Sequence, residues 1–296
     1  MKNNVLNLCG GFFDDLDKLN SNQDNDEFSD LNNKVYNEHD FILSQNKNPE
    51  FFEGLCNMCK DKEIPYNENG FTQNDLDKIK ILSNKSCIKD FFVGTYFKNV
   101  TSLDELQYFN NLLTIDMCCF FNCKKLKSII FPKNLQKIDR HVFEACIYLK
   151  KVDFSKIENF KLILGGSSFS STSIDNLIFP KNLEIIHEMC FYNSVFLENI
   201  IFPENLQKIQ YGAFANCKSL KKLIFNNNIK KIDRNAFDSC FSLEEVYIPS
   251  NIEKIGDKSF ANCTSLEKII IPERFKDNIK NIFDGVNLTK IDITYI

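Results

Sequence analysis

The sequence predicts an α/β repeat solenoid with parallel strands and a small helical cap at its N-terminal end. A phenylalanine recurs at nearly constant spacing, at Phe120, Phe143, Phe169, Phe191, Phe214, Phe237, Phe260 and Phe283. Between these residues, apolar side chains alternate with period two, which indicates strands. A helical apolar pattern precedes the repeats. A period in the twenties is typical of a stacked solenoid.

Residues 1–48 are predicted to form a flexible, acidic and Asn-rich extension. The stretch "LDKLNSNQDNDEFSDLNNK" has few apolar residues and many Asn, Asp and Ser residues. Such a composition buries too little apolar surface to offset the entropy of ordering the chain.

Residues 49–100 are predicted to form the helical cap. Pro49 is suited to the first turn of a helix, and an apolar side follows with Phe51, Phe52, Leu55, Met58 and Cys59. A second helix should follow "NENGFTQNDLDKIKIL", where Thr72 and Asp75 have the spacing of a capping box.

The loop between these helices carries oxygen ligands that invite comparison with a calcium loop. Asp61, Glu63, Asn67 and Asn69 precede Gly70, but their spacing departs from the calcium motif and no Glu closes the loop. A plain cap for the open end of the solenoid is the favoured interpretation, and calcium binding stays an alternative.

Residues 101–296 are predicted to form seven or eight repeats, each of about 23 residues. Three residues after each Phe from Phe120 to Phe260 comes Cys or a small residue: Cys123, Cys146, Thr172, Ser194, Cys217, Cys240 and Cys263. Leu or Ile follows three residues later, and then a strand that usually ends at Pro, such as Pro203, because Pro cannot donate to a ladder. A return leg adds a second apolar pair, such as Leu206 and Ile209. One unit cannot bury its apolar side alone, so the units should stack.

The repeat unit resembles that of the BspA-like leucine-rich repeats, "AFxxCxxLxxIxIPxxLxxI". The resemblance covers roughly residues 103–296, and the lead-in "TSLDELQYFNNLLTI" is similar to the segment before the first repeat in bacterial members. It implies a leucine-rich-repeat horseshoe with a parallel strand ladder on its concave face, and a binding role. It also implies display at a cell surface, since the family is often found there.

Composition narrows the classes of partner and location. A formal charge of -4 and a pI near 5.6 give no basic footprint, so we expect no nucleic-acid partner. No stretch has the roughly 18 apolar residues that a membrane-spanning helix needs. The N-terminal residues lack the pattern of a signal peptide, and the twelve cysteines are expected to be thiols in the cytoplasm.

No catalytic, metal or cofactor site is predicted. Cys56 and Cys59 form a lone CxxC without a second pair of zinc ligands, so both are expected to pack their helix. Cys118 and His141 take equivalent positions in consecutive repeats, but no orienting carboxylate or oxyanion donor accompanies them. "GGSSFSSTS" at 165–173 lacks the Lys of a phosphate loop and is expected to absorb the three extra residues of the longest repeat.

The candidate binding site lies on the predicted concave face. In "KKLIFN", Leu223 and Phe225 should point inward, so that Lys222 and Ile224 point outward. The same alternation gives a predicted partner-binding set of Ile178, Ile201, Lys222, Ile224, Glu245, Tyr247 and Ile270, with Asn199 at the rim and Ile130 and Asp153 in the first repeats. Tyr247 is the predicted anchor. An exposed apolar row indicates a docking surface, but β-branched residues also favour strand pairing when nothing binds.

The predicted function is a non-enzymatic protein–protein interaction module. Two alternatives stay open: a surface adhesin exported by a non-classical route, and an N-terminal helical region with an activity of its own. Oligomeric state and partner identity do not follow from the sequence.

Overall fold

The computed structural model describes residues 41–83, 96–157 and 161–296. Helices in these ranges are few and lie mostly at the two ends. They are α1 (Pro49–Asp61), α2 (Gln73–Asp77), α3 (Ile279–Ile282) and the 3-10 helices Asp104–Tyr108, Glu273–Asn278 and Leu288–Lys290. The predicted extension lies outside the described residues except for residues 41–48. In that segment Phe41 and Leu43 are buried, and Leu43 bridges Phe71 in antiparallel fashion.

Helix α1 confirms the predicted apolar side, since all five predicted residues are buried. Pro49 opens the helix, where its missing N–H removes no intrahelical bond. Gly54 lies on the same side, and a Cβ there would come within 2.5 Å of the Phe97 ring. The helix can therefore pack closely against the start of the repeats.

Helix α2 begins with the predicted capping pair, Thr72 and Asp75. The Asp75 carboxylate accepts hydrogen bonds from the backbone N–H of Thr72 at 2.9 Å and from its hydroxyl at 2.7 Å. Such a contact satisfies a donor that the first turn leaves without an intrahelical partner. The predicted capping spacing is thus confirmed.

The repeats contain two short strands each, which we number in chain order. The strands are β1 (Ile81–Leu82), β2 (Ser102–Leu103), β3 (Thr114–Ile115), β4 (Ser128–Ile130), β5 (Lys137–Ile138), β6 (Lys151–Asp153), β7 (Ile163–Leu164), β8 (Asn176–Ile178), β9 (Ile185–Ile186), β10 (Asn199–Ile201), β11 (Lys208–Ile209), β12 (Lys222–Ile224), β13 (Lys231–Ile232), β14 (Glu245–Tyr247), β15 (Lys254–Ile255), β16 (Lys268–Ile271) and β17 (Asp292–Tyr295). All pairings between them are parallel, and the strands stack as a solenoid of about eight turns.

The odd-numbered strands from β1 to β15 form one continuous parallel sheet of eight strands. They correspond to the return leg, for which the sequence predicts only an apolar pair. The register repeats from turn to turn: Ile186, Ile209, Ile232 and Ile255 follow one another. The sheet begins at Ile81, within the region that the sequence assigns to the helical cap.

The even-numbered strands and β17 form three separate sheets, β2-β4-β6, β8-β10 and β12-β14-β16-β17. The first break follows a connection that is longer in sequence than its counterparts. From Ile130 to Lys137 the chain advances seven positions, whereas from Asp153 to Ile163 it advances ten. The three extra residues thus precede Ile163.

The assignment of these extra residues to "GGSSFSSTS" is therefore wrong. Lys137 pairs with Ile163 and Ile138 with Leu164, so the chain is already back in register before Gly165. The pairing of β5 with β7 sets the position of Gly165, where the segment begins. The three extra residues therefore lie between Asp153 and Ile163.

A third set of hydrogen bonds joins the turns around the repeated Phe residues. From Phe120 to Phe260, the residues two before and two after each repeated Phe adopt left-handed backbone conformations, as Gly212 and Asn216 do around Phe214. In this conformation the N–H groups of Gly212, Phe214 and Asn216 all donate to carbonyls of the next repeat. Backbone groups in the turn are satisfied although no strand forms there.

The Phe side chains stack in one continuous buried column. Rings in neighbouring repeats, from Phe120 to Phe283, have centroids 5.1 to 5.5 Å apart. Phe97 extends the column at 4.8 Å from Phe120, and Phe51 of α1 lies 5.6 Å from Phe97. Helix α1 therefore covers the N-terminal end of the same core. The signal was present in the sequence, since Phe97 precedes Phe120 by the same interval that separates Phe120 from Phe143.

The Cys and small-residue positions are buried, as predicted, but they also have a polar role. The Cys217 thiol donates to the Phe191 carbonyl at 3.3 Å, and Cys240 and Cys263 repeat this contact with Phe214 and Phe237. Thr172 and Ser194 donate to the Phe169 carbonyl with their hydroxyls. A small donor at this position adds a second hydrogen bond to a buried carbonyl, since the Phe191 and Phe214 carbonyls also accept the backbone N–H groups of Ser194 and Cys217.

Candidate functional site: the face of the even-numbered strands

The predicted partner-binding residues lie on the even-numbered strands, and three of them are well exposed. Ile178, Ile201 and Ile224 are 68%, 64% and 61% exposed, while Leu177 and Leu223 beside them in sequence are buried. This alternation follows from strand geometry, which points successive side chains to opposite faces. Isoleucine side chains as open to solvent as these contribute little buried surface to the fold.

The strand register arranges the predicted apolar residues in two segments. Ile178 pairs with Ile201 across β8 and β10, and Ile224, Tyr247 and Ile270 follow one another across β12, β14 and β16. Between the segments, the Lys221 N–H donates to the Glu198 carbonyl at 3.4 Å. We call the five residues Ile178, Ile201, Ile224, Tyr247 and Ile270 the apolar row.

Tyr247 is half-buried, so it is less open than the anchor that the sequence predicts. The ammonium groups of Lys222 and Lys268, from the strands on either side, lie 5.3 and 5.8 Å from its ring centroid. Both distances are within the range of cation–π attraction. The two lysines hold the ring in place and cover part of it.

The predicted rim residues Lys222 and Glu245 pair with each other. Their Nζ and Oε2 atoms lie 2.5 Å apart, on adjacent strands. The hydrogen bond to Glu245 raises the pKa of Lys222, and the same bond lowers the pKa of Glu245. Both groups stay charged at neutral pH and fix the polar border of the row.

The row does not continue into the first repeats. Ile130 pairs with Asp153 across β4 and β6, and both are half-buried. The Asp153 carboxylate accepts a hydrogen bond from the backbone N–H of Ser155 at 2.7 Å. The structure thus separates this part of the face from the isoleucines of the later repeats.

Sequence reasoning missed three exposed aromatic residues close to this face. Tyr148, Phe196 and Phe241 are 62%, 57% and 42% exposed, and each follows a column Phe by four or five residues. The position of Tyr148 and Phe196 holds Lys125, Ser219, Ser242 and Ser265 in other repeats, so a bulky apolar residue there was the available signal.

The cysteine pairs show no reactive arrangement among the described residues. Cys56 and Cys59 are free thiols, and burial raises their pKa values to about 11 and about 12. Cys118 and His141 both lie at left-handed turn positions, and His141 Nδ1 is 2.5 Å from Glu144 Oε2 within its own turn. The turn geometry accounts for the equivalent spacing of the pair.

The loop between α1 and α2 uses its polar residues internally. Asp61 accepts a hydrogen bond from the Tyr96 hydroxyl at 2.9 Å, and Asn67 accepts one from the backbone of Asn69. Gly70 faces Phe41, where a Cβ would come within 2.5 Å of the ring. Within residues 41–83, 96–157 and 161–296, no three His, Cys, Asp or Glu side chains cluster as a metal site would require.

Comparison with known families identifies the repeats. A family model described as "BspA type Leucine rich repeat region", in six copies, matches residues 64–198 and 184–295. The chain belongs to the BspA-type leucine-rich repeat family. The match of this leucine-rich repeat model begins within the cap region and reaches almost to the last residue.

Solved structures of leucine-rich repeat proteins also align with the chain. A leucine-rich repeat protein from Bacteroides ovatus aligns at 22% identity and a TM-score of 0.40, over 63% of this chain and 61% of its own. A leucine rich cell surface protein from Faecalibacterium prausnitzii aligns at 18% identity and a TM-score of 0.44, over 55% of this chain and 53% of its own. The chain thus spans between about half and three fifths of these two proteins.

A third structure, a leucine rich repeat protein from T. pallidum, aligns at 21% identity and a TM-score of 0.40, over 60% of this chain and 79% of its own. No curated protein sequence matches the chain. Among the helices that the structure describes, none has the length and apolar character to span a membrane.

Proposed function

We propose that this leucine-rich repeat chain is a non-enzymatic protein-interaction module that binds a protein partner through the apolar row. The observation that supports the proposal is the exposure of Ile178, Ile201 and Ile224 in a fixed strand register. An exposed apolar surface rimmed by polar residues is typical of an interaction site. Lys222 and Glu245 form such a rim.

The fold gives this surface a physical advantage in binding. Each side chain of the row stands on a strand that is hydrogen-bonded to its neighbours, so little conformational entropy is lost on contact with a partner. Repeat solenoids offer such extended and pre-ordered surfaces for interaction. Tyr247 adds aromatic area and a hydroxyl group, and its position is already set by Lys222 and Lys268.

The proposal is tested by the double substitution Ile224→Ser with Tyr247→Ser. The full chain and the variant serve as baits in extracts of the native cell, and the affinity of each recovered protein is then measured directly. A partner of the apolar row should bind the variant at least about 30-fold more weakly, the loss of about 2 kcal/mol expected for a hot spot. The melting temperature should stay almost unchanged, because the core residues are kept.

A matched control replaces Phe196 and Phe241 by Ser. These side chains are also exposed, but they lie outside the apolar row. The control should keep the affinity of the parent chain. Equal binding by the Ile224→Ser/Tyr247→Ser variant would show that the row serves strand pairing alone.

A further inference from the structure

We propose that a second region of the same face binds an acidic segment of a protein partner. We call this region the basic patch and define it as Lys124, Lys125, Lys127, Lys150 and Lys151. The inference rests on the proposed function, because it gives a chemical class of partner to a leucine-rich repeat surface. The patch belongs to the first two repeats, whereas the apolar row lies in the later ones.

Stacking of the repeats brings these lysines together. The backbone N–H groups of Lys150 and Lys151 donate to the Lys127 carbonyl at 3.0 and 3.1 Å, and Ser128 pairs with Lys151 in register. Lys124 and Lys125 precede this contact by only a few residues. Since adjacent strands lie about 4.8 Å apart, five ammonium groups share two neighbouring turns of the solenoid.

The positive charge of the patch is only partly neutralised. All five lysines are exposed. Lys150 lies 3.1 Å from Asp175, while Lys124, Lys125, Lys127 and Lys151 have no carboxylate within 4.0 Å in the described part of the chain. Asp104 and Asp153 border the patch but form no ion pair with its lysines: Asp104 accepts a hydrogen bond from the Ser128 hydroxyl, and Asp153 accepts one from the Ser155 N–H.

Elsewhere the solenoid places opposite charges on neighbouring turns. Glu198 pairs with Lys221, Lys222 with Glu245, and Lys230 with Glu253. Such cross-strand pairs are favourable, whereas like charges in register are destabilising. Lysines also follow one another in register on the odd-numbered strands, at Lys208 and Lys231, but there Asp233 lies 3.7 and 2.7 Å from their ammonium groups. Lys127 beside Lys150 has no such shared carboxylate among the described residues, so the repulsion between them is less compensated.

Tyr148 gives the patch an apolar contact beside its charges. The ring is 62% exposed, and Tyr148 holds the position of Lys125 in the next repeat. Tyr residues are favoured at interfaces because they offer apolar area together with a hydroxyl group. An acidic segment with an adjacent apolar residue would match both features.

The extent of the patch favours an acidic protein segment over nucleic acid. The position of Lys127 and Lys150 is taken by Asp175 and Glu198 in the following repeats. A phosphate backbone that ran along the ladder would meet these carboxylates after two turns, and nucleic-acid binding depends on many phosphate contacts. A short run of Asp or Glu residues fits within the positive area.

The test measures binding of fluorescein-labelled deca-glutamate to the full chain by fluorescence anisotropy at about 50 mM salt, where surface charges are weakly screened. The triple substitution Lys124→Glu, Lys127→Glu and Lys151→Glu should weaken binding at least about tenfold. A control variant changes the net charge equally at three lysines outside the patch: Lys181→Glu, Lys218→Glu and Lys280→Glu. It should lose far less affinity for deca-glutamate. If charge reversal impairs folding, the replacement of Lys124, Lys127 and Lys151 by Gln gives the same comparison.

Three outcomes would overturn the inference. They are no deca-glutamate binding by the parent chain, equal binding by the patch and control variants, and tighter binding of a thymidine decanucleotide or of anionic lipid vesicles than of deca-glutamate. The Ile224→Ser/Tyr247→Ser variant should bind deca-glutamate as the parent does, so that failure of the apolar row and failure of the basic patch are distinguished.

Discussion

Among the described carboxylates, Asp116 is the one whose environment most clearly opposes ionisation. Burial, followed by the charge of the neighbouring Asp139, raises its pKa to about 6, while Lys137 and Lys62 act in the opposite direction. Asp116 and Asp139 hold the same position in consecutive repeats, each four residues before its column Phe. Exact repetition of the unit therefore brings two like charges together.

The raised pKa of Asp116 predicts a defined pH dependence of stability. Because the folded pKa of about 6 exceeds the unfolded value near 3.9, protonated Asp116 favours the folded state below about pH 4, and this contribution is lost as the pH rises through about 6. Asp116→Asn removes the titration. In urea unfolding, the free energy of unfolding of the variant relative to the parent should rise by up to about 2 kcal/mol between pH 4 and pH 7.

The exposed Asp257 provides the comparison for that experiment. The difference in unfolding free energy between Asp257→Asn and the parent should change little with pH. A pH-independent difference for Asp116→Asn as well would mean that its carboxyl titrates normally in the folded chain.

At the scale of the element, the column of stacked rings is the main apolar contact between turns. Phe214 is fully buried and has ring neighbours in the repeats on both sides, at 5.3 Å from Phe191 and from Phe237. The backbone of the same residue donates to Ala236 in the next repeat. One position thus joins three consecutive turns through both packing and hydrogen bonding.

Phe214→Ala should lower the free energy of unfolding by about 3–5 kcal/mol, the size of a large truncation in a core. Phe196→Ala removes the same side chain from a position that is 57% exposed, and it should cost less than about 1 kcal/mol. Denaturant unfolding of both variants measures the two effects. Similar losses for the two would place Phe214 outside the core.

At the scale of the whole molecule, the described repeats are joined without covalent cross-links. All ten described cysteines are free, and nine of them are buried. Burial raises the pKa values of Cys190 and Cys217 to about 12, so these groups are protonated thiols at neutral pH. Only the protonated form can donate a hydrogen bond, as Cys217 does to the Phe191 carbonyl.

The protein should therefore melt at the same temperature with and without reductant, because no cross-link constrains the unfolded chain. Titration of the denatured protein with a thiol reagent should find all twelve cysteines of the sequence reactive. A melting temperature that falls by many degrees in reductant would reveal disulfides and overturn the prediction of free thiols.

The sequence alone determined the repeat, the buried columns and the helix that begins at Pro49. Each of these depends on the order of apolar residues along the chain, and period and spacing can be read directly from that order. The alternation that exposes Ile178, Ile201 and Ile224 is a property of the same kind, since it needs only the period of a strand.

Tertiary structure alone decided the features that depend on contacts between turns. The odd-numbered strands from β1 to β15 have two residues each, too few for a periodic signal, and they become a sheet only because eight turns repeat the same register. The partial cover over Tyr247 and the grouping of Lys127 with Lys150 arise from residues that lie one repeat apart in the chain. The physical reason for both features is the stacking of the repeats, which places equivalent positions next to each other. The variable surface residues of one repeat therefore contact those of the next.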